Sequence, residues 1–158
     1  MARLNVLEYA ADFIRGWPHG EAVEMNYPSV SASESLGNGD VVAVVNGKVQ
    51  KATGAAGEVL GMVARGKSDT FAGGGTGTNN LYQQAVPNIV LLSNFVVRTY
   101  NVDDANVPAA GGKVYVDAAG KLTSVPGTSE VFGTCLEGAE SVKDADGNSH
   151  TAIVVLVK

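Results

Sequence analysis

Residues 41–52 read Val-Val-Ala-Val-Val-Asn-Gly-Lys-Val-Gln-Lys-Ala, a valine-rich run followed by one Asn-Gly pair and a second, more polar run. Asn-Gly supplies the two positive φ values that a type I′ turn requires, and valine packs well on the pleated surface of a strand. The stretch therefore predicts a β-hairpin whose strands lie on either side of Asn46 and Gly47.

Two further hairpins are predicted in the C-terminal half of the chain. Residues 113–117 and 121–125 are strand-like, and Gly120 suits the left-handed position of the turn between them. A short strand near residues 141–143 is joined to the apolar run at residues 151–157 by a turn that contains Asp-Gly. These two turns predict antiparallel pairing of neighbouring segments.

Longer strand-like runs at residues 59–65 and 88–98 bring the number of predicted strands to at least seven. Valine is the most frequent residue of the 158-residue chain and glycine occurs 20 times, which favours strands and turns over helices. We therefore expect an all-β fold, a small β-barrel or a β-sandwich. Residues 89–92 and 95–97 carry more apolar surface than one thin barrel can cover, which predicts a homo-oligomer, most simply a trimer.

The N-terminal residues 1–28 are expected to form an arm or helix ahead of a β-domain at residues 29–158. Apolar residues recur there at spacings of three and four, as on one face of a helix. Aromatic anchors dominate many protein interfaces, so this stripe is a candidate partner-binding segment. Its members are Leu4, Leu7, Tyr9, Phe13, Ile14 and Trp17. The alternative, that the stripe covers the core of its own domain, is equally compatible with the pattern.

Residues 66–87 are the least strand-like part of the chain and predict a long glycine-rich loop, mobile or ordered by a partner. No Gly-Lys-Ser or Gly-Lys-Thr follows the glycine cluster, so a phosphate-binding loop is not expected. Residues 144–147 resemble the start of a calcium loop but lack its later glutamate, so a hairpin turn is expected instead. Asp103 and Asp104 are expected in an ordinary solvated turn.

Cys135 is the one cysteine of the chain, and its strand-like surroundings predict a small buried hydrophobe. A cysteine nucleophile needs a partner base, and the two histidines, His19 and His150, lie in a predicted loop and beside a predicted turn. We therefore expect no catalytic residues, no metal and no cofactor, and no enzymatic activity.

Eleven basic residues stand against 16 acidic ones, and the net charge is −5, with the acidic excess in residues 101–150. Nucleic-acid binding needs clustered Lys and Arg, so no nucleic-acid partner is expected. No apolar run approaches the roughly 20 residues of a membrane helix. Glu8 and Asp12 lie where a signal peptide carries its apolar core, so neither a membrane partner nor export is expected.

The order of several short segments resembles the capsid decoration, or cement, proteins of tailed bacteriophages. Gly-Asp turns and a Val-Tyr-Val-Asp…Gly-Lys hairpin carry the likeness. The segments are residues 36–52, 57–63, 110–123, 133–139 and the terminal valine strand at 153–157. The N-terminal segment and the loop at residues 66–87 lie outside the likeness.

The resemblance implies a small β-domain that binds the outside of a capsid and braces neighbouring major capsid proteins. Its partners are then the major capsid protein and further copies of itself in a trimer. Its location is the exterior of the virion, after synthesis in the host cytoplasm. Two alternatives stay open: a tail or fibre-base adaptor of the virion, and a small β-fold hydrolase that uses Cys135 or an acidic pair.

Overall fold

The structure, a computed structural model, describes residues 10–15, 23–26, 36–65 and 89–158. These residues form strands and no helix, which confirms the all-β class. The strands are β1 (Ala11–Arg15), β2 (Val23–Asn26), β3 (Val41–Val45), β4 (Lys48–Lys51), β5 (Val59–Arg65), β6 (Ile89–Ser93), β7 (Phe95–Thr99), β8 (Lys113–Val116), β9 (Leu122–Thr123), β10 (Gly133–Lys143) and β11 (Ser149–Val157). Within the described ranges, no helix is long and apolar enough to cross a membrane.

The strands form two sheets whose inner faces share one hydrophobic core. The first sheet has six strands in the order β1-β7-β11-β10-β8-β9, and the second has five in the order β2-β6-β5-β3-β4. Neighbouring strands are antiparallel. Within the part of the chain that the structure describes, neither sheet closes on itself, so of the two expected architectures the sandwich describes the fold.

The core between the sheets follows the two-residue period of the strands. Val41 and Ala43 of the five-stranded sheet, and Val155 and Val157 of the six-stranded sheet, all belong to it. None of these four is more than 2% exposed. Because burial of a valine-sized side chain contributes about 1.5–3 kcal/mol, this shared layer holds the two sheets together.

The five-stranded sheet is apolar on both faces. Val42, Val63 and Val90 alternate with the core residues of β3, β5 and β6 and form a second cluster, each with no exposed surface. A sheet buried on both faces needs continuous apolar strands rather than alternating ones. This explains the unbroken apolar runs of β3 and β6, which contrast with Lys48–Lys51 at the edge of the sheet.

The apolar strands around residue 90 are largely covered within a single chain. Val90, Leu91, Phe95 and Val97 are each at most 1% exposed. The premise that these strands exceed what one domain can cover is therefore wrong. The expected trimer loses that support and stays a prediction.

The hairpin of β3 and β4 has the predicted turn. Asn46 and Gly47 have φ angles of 51° and 74°, and Val45 pairs directly with Lys48. Both central residues thus have the positive φ that a type I′ turn requires. The local Asn-Gly signal is confirmed.

The other two predicted hairpins are also present, and they are closed by matching five-residue turns at residues 117–121 and 144–148. In each, one carboxylate oxygen of the leading aspartate accepts hydrogen bonds from the amides two and four positions later, at 2.8–3.0 Å. The fourth position is a glycine with positive φ, 77° at Gly120 and 87° at Gly147. These two segments are called the twin turns below.

The long strand predicted at residues 88–98 is instead two strands that belong to different sheets. Between β6 and β7, Asn94 has a φ of 61°. Asparagine tolerates this left-handed conformation better than the branched residues around it. The chain therefore turns at Asn94 and passes from the five-stranded to the six-stranded sheet.

Residues 11–15 form a strand, so the predicted N-terminal helix is wrong at these positions. β1 pairs with β7, and the Thr99 hydroxyl and the Tyr100 amide donate to the Ala10 carbonyl at 2.6 and 3.0 Å. Ala11 and Phe13 contact the core, and their spacing of two residues places them on one face of a strand, whereas a helix would place them on opposite sides. The spacings of three and four predict a helix, and pairing with β7 decides for the strand.

β2 pairs with β6 in the same antiparallel way. β1 is therefore an edge strand of the six-stranded sheet, and β2 is an edge strand of the five-stranded sheet. The division of the chain near residue 28 stays a prediction, although strands on its two sides are hydrogen-bonded to each other. The predicted loop at residues 66–87 lies outside the described residues.

Candidate interaction surface

Of the six residues predicted to bind a partner, the structure describes two. Phe13 packs against Phe95, with ring centroids 6.0 Å apart and planes tilted by 54°, and borders the core. Ile14 is 44% exposed. Phe13 therefore serves its own domain, and Ile14 is left on the surface. The other four lie outside the described residues, namely Leu4, Leu7, Tyr9 and Trp17.

Ile14 is the first of four apolar residues that are spread across the outer face of the six-stranded sheet. Val96 of β7 pairs with Leu156 of β11, and Leu156 pairs with Thr134 of β10, two residues before Leu136. Ile14, Val96, Leu156 and Leu136 are called the apolar strip. They occupy four adjacent strands about 4.8 Å apart, so the strip is about 15 Å long.

Alternation along the strands places the strip on the face away from the core. Val97 and Val155 are core residues, so their neighbours Val96 and Leu156 point to the opposite side. These two central residues are half-buried, whereas the two ends of the strip are 44% and 45% exposed. The strip is thus most accessible at its ends.

Both ends of the strip lie at β-bulges. The register of β1 on β7 shifts between Phe13 and Arg15, and that of β10 on β11 shifts between Cys135 and Glu137. A bulge sets two residues opposite one and re-aims a side chain. Ile14 and Leu136 lie between the shifted pairs, so they are exposed and have no direct partner in the register of the neighbouring strand.

A buried arginine borders the strip. The Arg98 side chain is 3% exposed, and its Nη2 and Nε lie 3.1 and 3.2 Å from Oε2 of Glu140, which is 38% exposed. Its cross-strand neighbours are Asp12 and Val154. A buried charge is costly unless it is paired, so this ion pair fixes the outer face beside the strip.

A second polar group lies at the turn between β10 and β11. The Nε2 atom of His150 is 2.8 Å from Oδ2 of Asp144, and the imidazole stacks on Tyr100 with centroids 4.1 Å apart and planes 13° apart. Hydrogen bonds from His150 and Asn148 hold the pKa of Asp144 well below its usual range. Burial, with the charges of Asp144 and Asp146, raises the pKa of Tyr100, so its phenol is neutral at physiological pH.

Cys135 is buried, as predicted, and is not placed for nucleophilic catalysis with His150. Its Sγ lies 3.2 and 3.6 Å from the carbonyl oxygens of Glu137 and Pro108, and burial raises the pKa of its thiol. It contacts the core, whereas His150 packs on the other face of the same sheet. His19, the other histidine, lies outside the described residues.

The acidic residues singled out from the sequence serve as turn residues. The Asn106 side chain and the Ala105 amide donate to the Asp103 carboxylate at 2.8 and 3.0 Å, and these bonds lower the pKa of Asp103. Asp144 closes its hairpin in a similar way. Among the residues that the structure describes, no group of three or more His, Cys, Asp and Glu is placed to hold a metal.

Three members of the apolar strip were not predicted from the sequence. Val96 and Leu156 belong to continuous apolar runs in which the sequence does not distinguish one face from the other, and only strand pairing separates the two faces of each run. Leu136 depends on a bulge, for which this sequence carries no turn signal. The apolar strip can therefore be identified only when the pairing of each strand with its neighbours is known.

Comparisons with known protein families, with curated protein sequences and with solved structures find no match to this chain. Its function must therefore be inferred from its own fold and surface.

Proposed function

We propose that this chain is a structural protein of a tailed-bacteriophage virion, a decoration protein that binds the outside of the capsid. In this role it stabilises contacts between major capsid protein subunits. The apolar strip carries the proposal, since its ends offer an exposed hydrophobic contact on the outer face of the six-stranded sheet. The order of segments that resembles decoration proteins supplies the class of partner.

The exposed ends of the strip can contribute useful binding energy. Full burial of a Leu or Ile side chain contributes about 1.5–3 kcal/mol, so covering the exposed 44% and 45% contributes about 0.7–1.3 kcal/mol for each residue. A ligand that binds the assembled shell and not free subunits stabilises the shell by mass action. Several such contacts in one oligomer add through avidity.

The strip is also held in a fixed position before binding. Its two central residues lie on β7 and β11, which are paired to each other and whose opposite faces contribute to the core. The Arg98–Glu140 ion pair fixes the adjoining surface. A surface that is already ordered pays less conformational entropy on binding, which favours affinity.

The test is co-sedimentation of the purified protein with empty expanded heads. The variants are Ile14→Ser and Leu136→Ser, and the matched control is Val125→Ser, which removes an apolar side chain that is 48% exposed outside the strip. We expect wild type and Val125→Ser to bind heads, and each strip variant to bind about three- to tenfold more weakly per contact.

Three results would contradict the proposal in distinguishable ways. Failure of the wild type to bind heads would refute the decoration role, and binding to tails or fibre bases instead would favour the adaptor. Head binding that is unchanged in both strip variants would place the contact on another surface. A trimer is part of the proposal, so light scattering should give three times the chain mass of 16.2 kDa, and a monomer would contradict it.

A further inference from the structure

The chain contains two Asn-Gly pairs, at residues 38–39 and 46–47, and the structure describes both. Asparagine followed by glycine readily loses its side-chain amide in water, because glycine has no side chain to hinder attack by its own nitrogen. The two pairs share this local chemistry, so their surroundings decide which of them can react.

The pair at residues 46–47 is exposed. It forms the tip of the β3–β4 hairpin, where Asn46, Gly47 and Lys48 are all exposed. A Cβ added to Gly47 would meet no atom within 4 Å, so this side of the turn is open to solvent. No hydrogen bond among the described residues involves the Gly47 amide. The nitrogen that would attack the Asn46 side chain is therefore accessible.

The pair at residues 38–39 is enclosed. Gly39 is buried, and its amide donates to the Val63 carbonyl at 2.8 Å. A Cβ added to Gly39 would lie 2.9 Å from atoms of Ala10 and Ala11. The Oδ1 atom of Asn38 is also buried. The same dipeptide is therefore held by packing and hydrogen bonding at one place and exposed at the other.

We propose that Asn46-Gly47 is a self-modification site, at which water converts Asn46 to aspartate or isoaspartate, whereas Asn38 is protected by its surroundings. This proposal is independent of the proposed capsid role.

The reaction needs only the turn and water. The Gly47 nitrogen gives up its proton and attacks Cγ of Asn46, which closes a five-membered cyclic imide. The bond from Cγ to the side-chain nitrogen breaks, and that nitrogen leaves with the proton as ammonia. Water then opens the imide. Cleavage of the new bond to Cγ gives aspartate, and cleavage of the original main-chain bond gives isoaspartate.

Local opening of the chain sets the relative rates at the two pairs. Ring closure needs a main-chain rotation at the asparagine that a type I′ turn does not have, so the turn must open first. At the hairpin tip, this breaks the pair of Val45 with Lys48. At residues 38–39, it also requires detachment from Ala10, Ala11 and Val63. Openings that break fewer contacts occur more often, which favours reaction at the hairpin tip.

Conversion changes the hairpin permanently. Either product adds a negative charge next to Lys48. Isoaspartate also lengthens the main chain of a two-residue turn, and the length of such a turn fixes the register of its strands. The modified fraction therefore increases with the age of the folded protein.

The test uses Asn38 as an internal control. The purified full chain is incubated at 37 °C in mildly alkaline buffer, and samples taken over several weeks are digested and mapped by mass spectrometry. Aspartate and isoaspartate forms of each peptide are separated by chromatography. Loss of one hydrogen bond alone changes an opening equilibrium by up to about tenfold, and Asn38-Gly39 is also packed, so Asn46 should convert at least about tenfold faster than Asn38.

Two further measurements separate the effect of the structure from that of the dipeptide. In concentrated urea, where both pairs are released from the fold, Asn38 and Asn46 should convert at similar rates. In Asn46→Gln, the peptide that spans the hairpin should show no conversion, which assigns the reaction to this position. The proposal would be overturned if Asn46 did not convert in the folded chain, if Asn38 converted as fast, or if the difference between them persisted in urea.

Discussion

Replacement of Phe13 by alanine tests whether the N-terminal segment belongs to the domain or serves only to attach it to a partner. Phe13 lies on β1, contacts the core and packs against Phe95. The sequence pattern is equally compatible with a helix in which this side chain binds a partner. The first view predicts that the substitution destabilises the isolated protein, and the second predicts no change in its stability.

The size of the effect follows from the burial of the ring. Phe→Ala at a fully buried site costs about 3–5 kcal/mol, and Phe13 is half-buried, so we expect a loss of about 1.5–2.5 kcal/mol. For a chain of this length, each kcal/mol lowers Tm by about 2–4 °C, so Tm should fall by about 3–10 °C. The neighbouring Ile14→Val removes one methylene from an exposed side chain and should stay within about 0.5 kcal/mol.

The measurement is urea unfolding followed by circular dichroism, with a thermal scan of the same samples. The reasoning would be refuted if Phe13→Ala changed the free energy of unfolding by no more than the Ile14→Val control. That outcome would mean that β1 does not contribute to the core in solution, and the attachment role predicted from the sequence would then be favoured.

Three further predictions follow from single positions. Asn94→Val should destabilise the protein by about 1–2 kcal/mol, whereas Asn94→Gly should not, because glycine accepts a positive φ without strain and valine does not. The midpoints of urea unfolding distinguish the two variants. Gly133→Ala should cost about 1–3 kcal/mol, since an added Cβ would overlap the Leu156 carbonyl oxygen, and an unchanged Tm would contradict this. Because the pKa of Asp144 is lowered in the folded state, its stabilising contribution is complete above its unfolded pKa of about 3.9 and is lost as the pH falls further. Between pH 5 and pH 2, the wild type should therefore lose more free energy of unfolding than Asp144→Asn. Equal losses in the two proteins would argue against the contact.

The parts of the fold that could be predicted from the sequence are those fixed by neighbouring residues. The Asn46-Gly47 pair and the glycines of the twin turns each need a positive φ, and this requirement is visible in a few letters of sequence. The change of sheet at Asn94 and the strand at Ala11–Arg15 were not predicted, because both depend on pairing between segments that are distant in the sequence. Local pattern carries no information about such partners.

The candidate surface was missed for a related reason. A run such as β6, apolar at nearly every position, indicates burial but not on which face, and in the five-stranded sheet both faces are buried. In the six-stranded sheet, the similar run of β11 has one face in the shared core, while on its other face Ala152 and Val154 are buried and Leu156 is half-buried. Whether an apolar residue belongs to the core or to the apolar strip therefore depends on how many of the strand's faces are covered by other parts of the protein. A single sequence does not reveal this.

The size of the apolar strip limits what it can do alone. A stable protein interface buries about 800 Å² and 20–30 residues on each partner, whereas the strip has four residues. It can therefore act only as the central anchor of a larger contact, with polar neighbours such as Arg98 and Glu140 at its rim.

A surface of four residues can be covered by one partner at a time. If the strip binds the capsid, the trimer must be held by other surfaces, and Ile14→Ser should weaken head binding while leaving the trimer intact. Loss of both together would instead assign the strip to the contact between subunits.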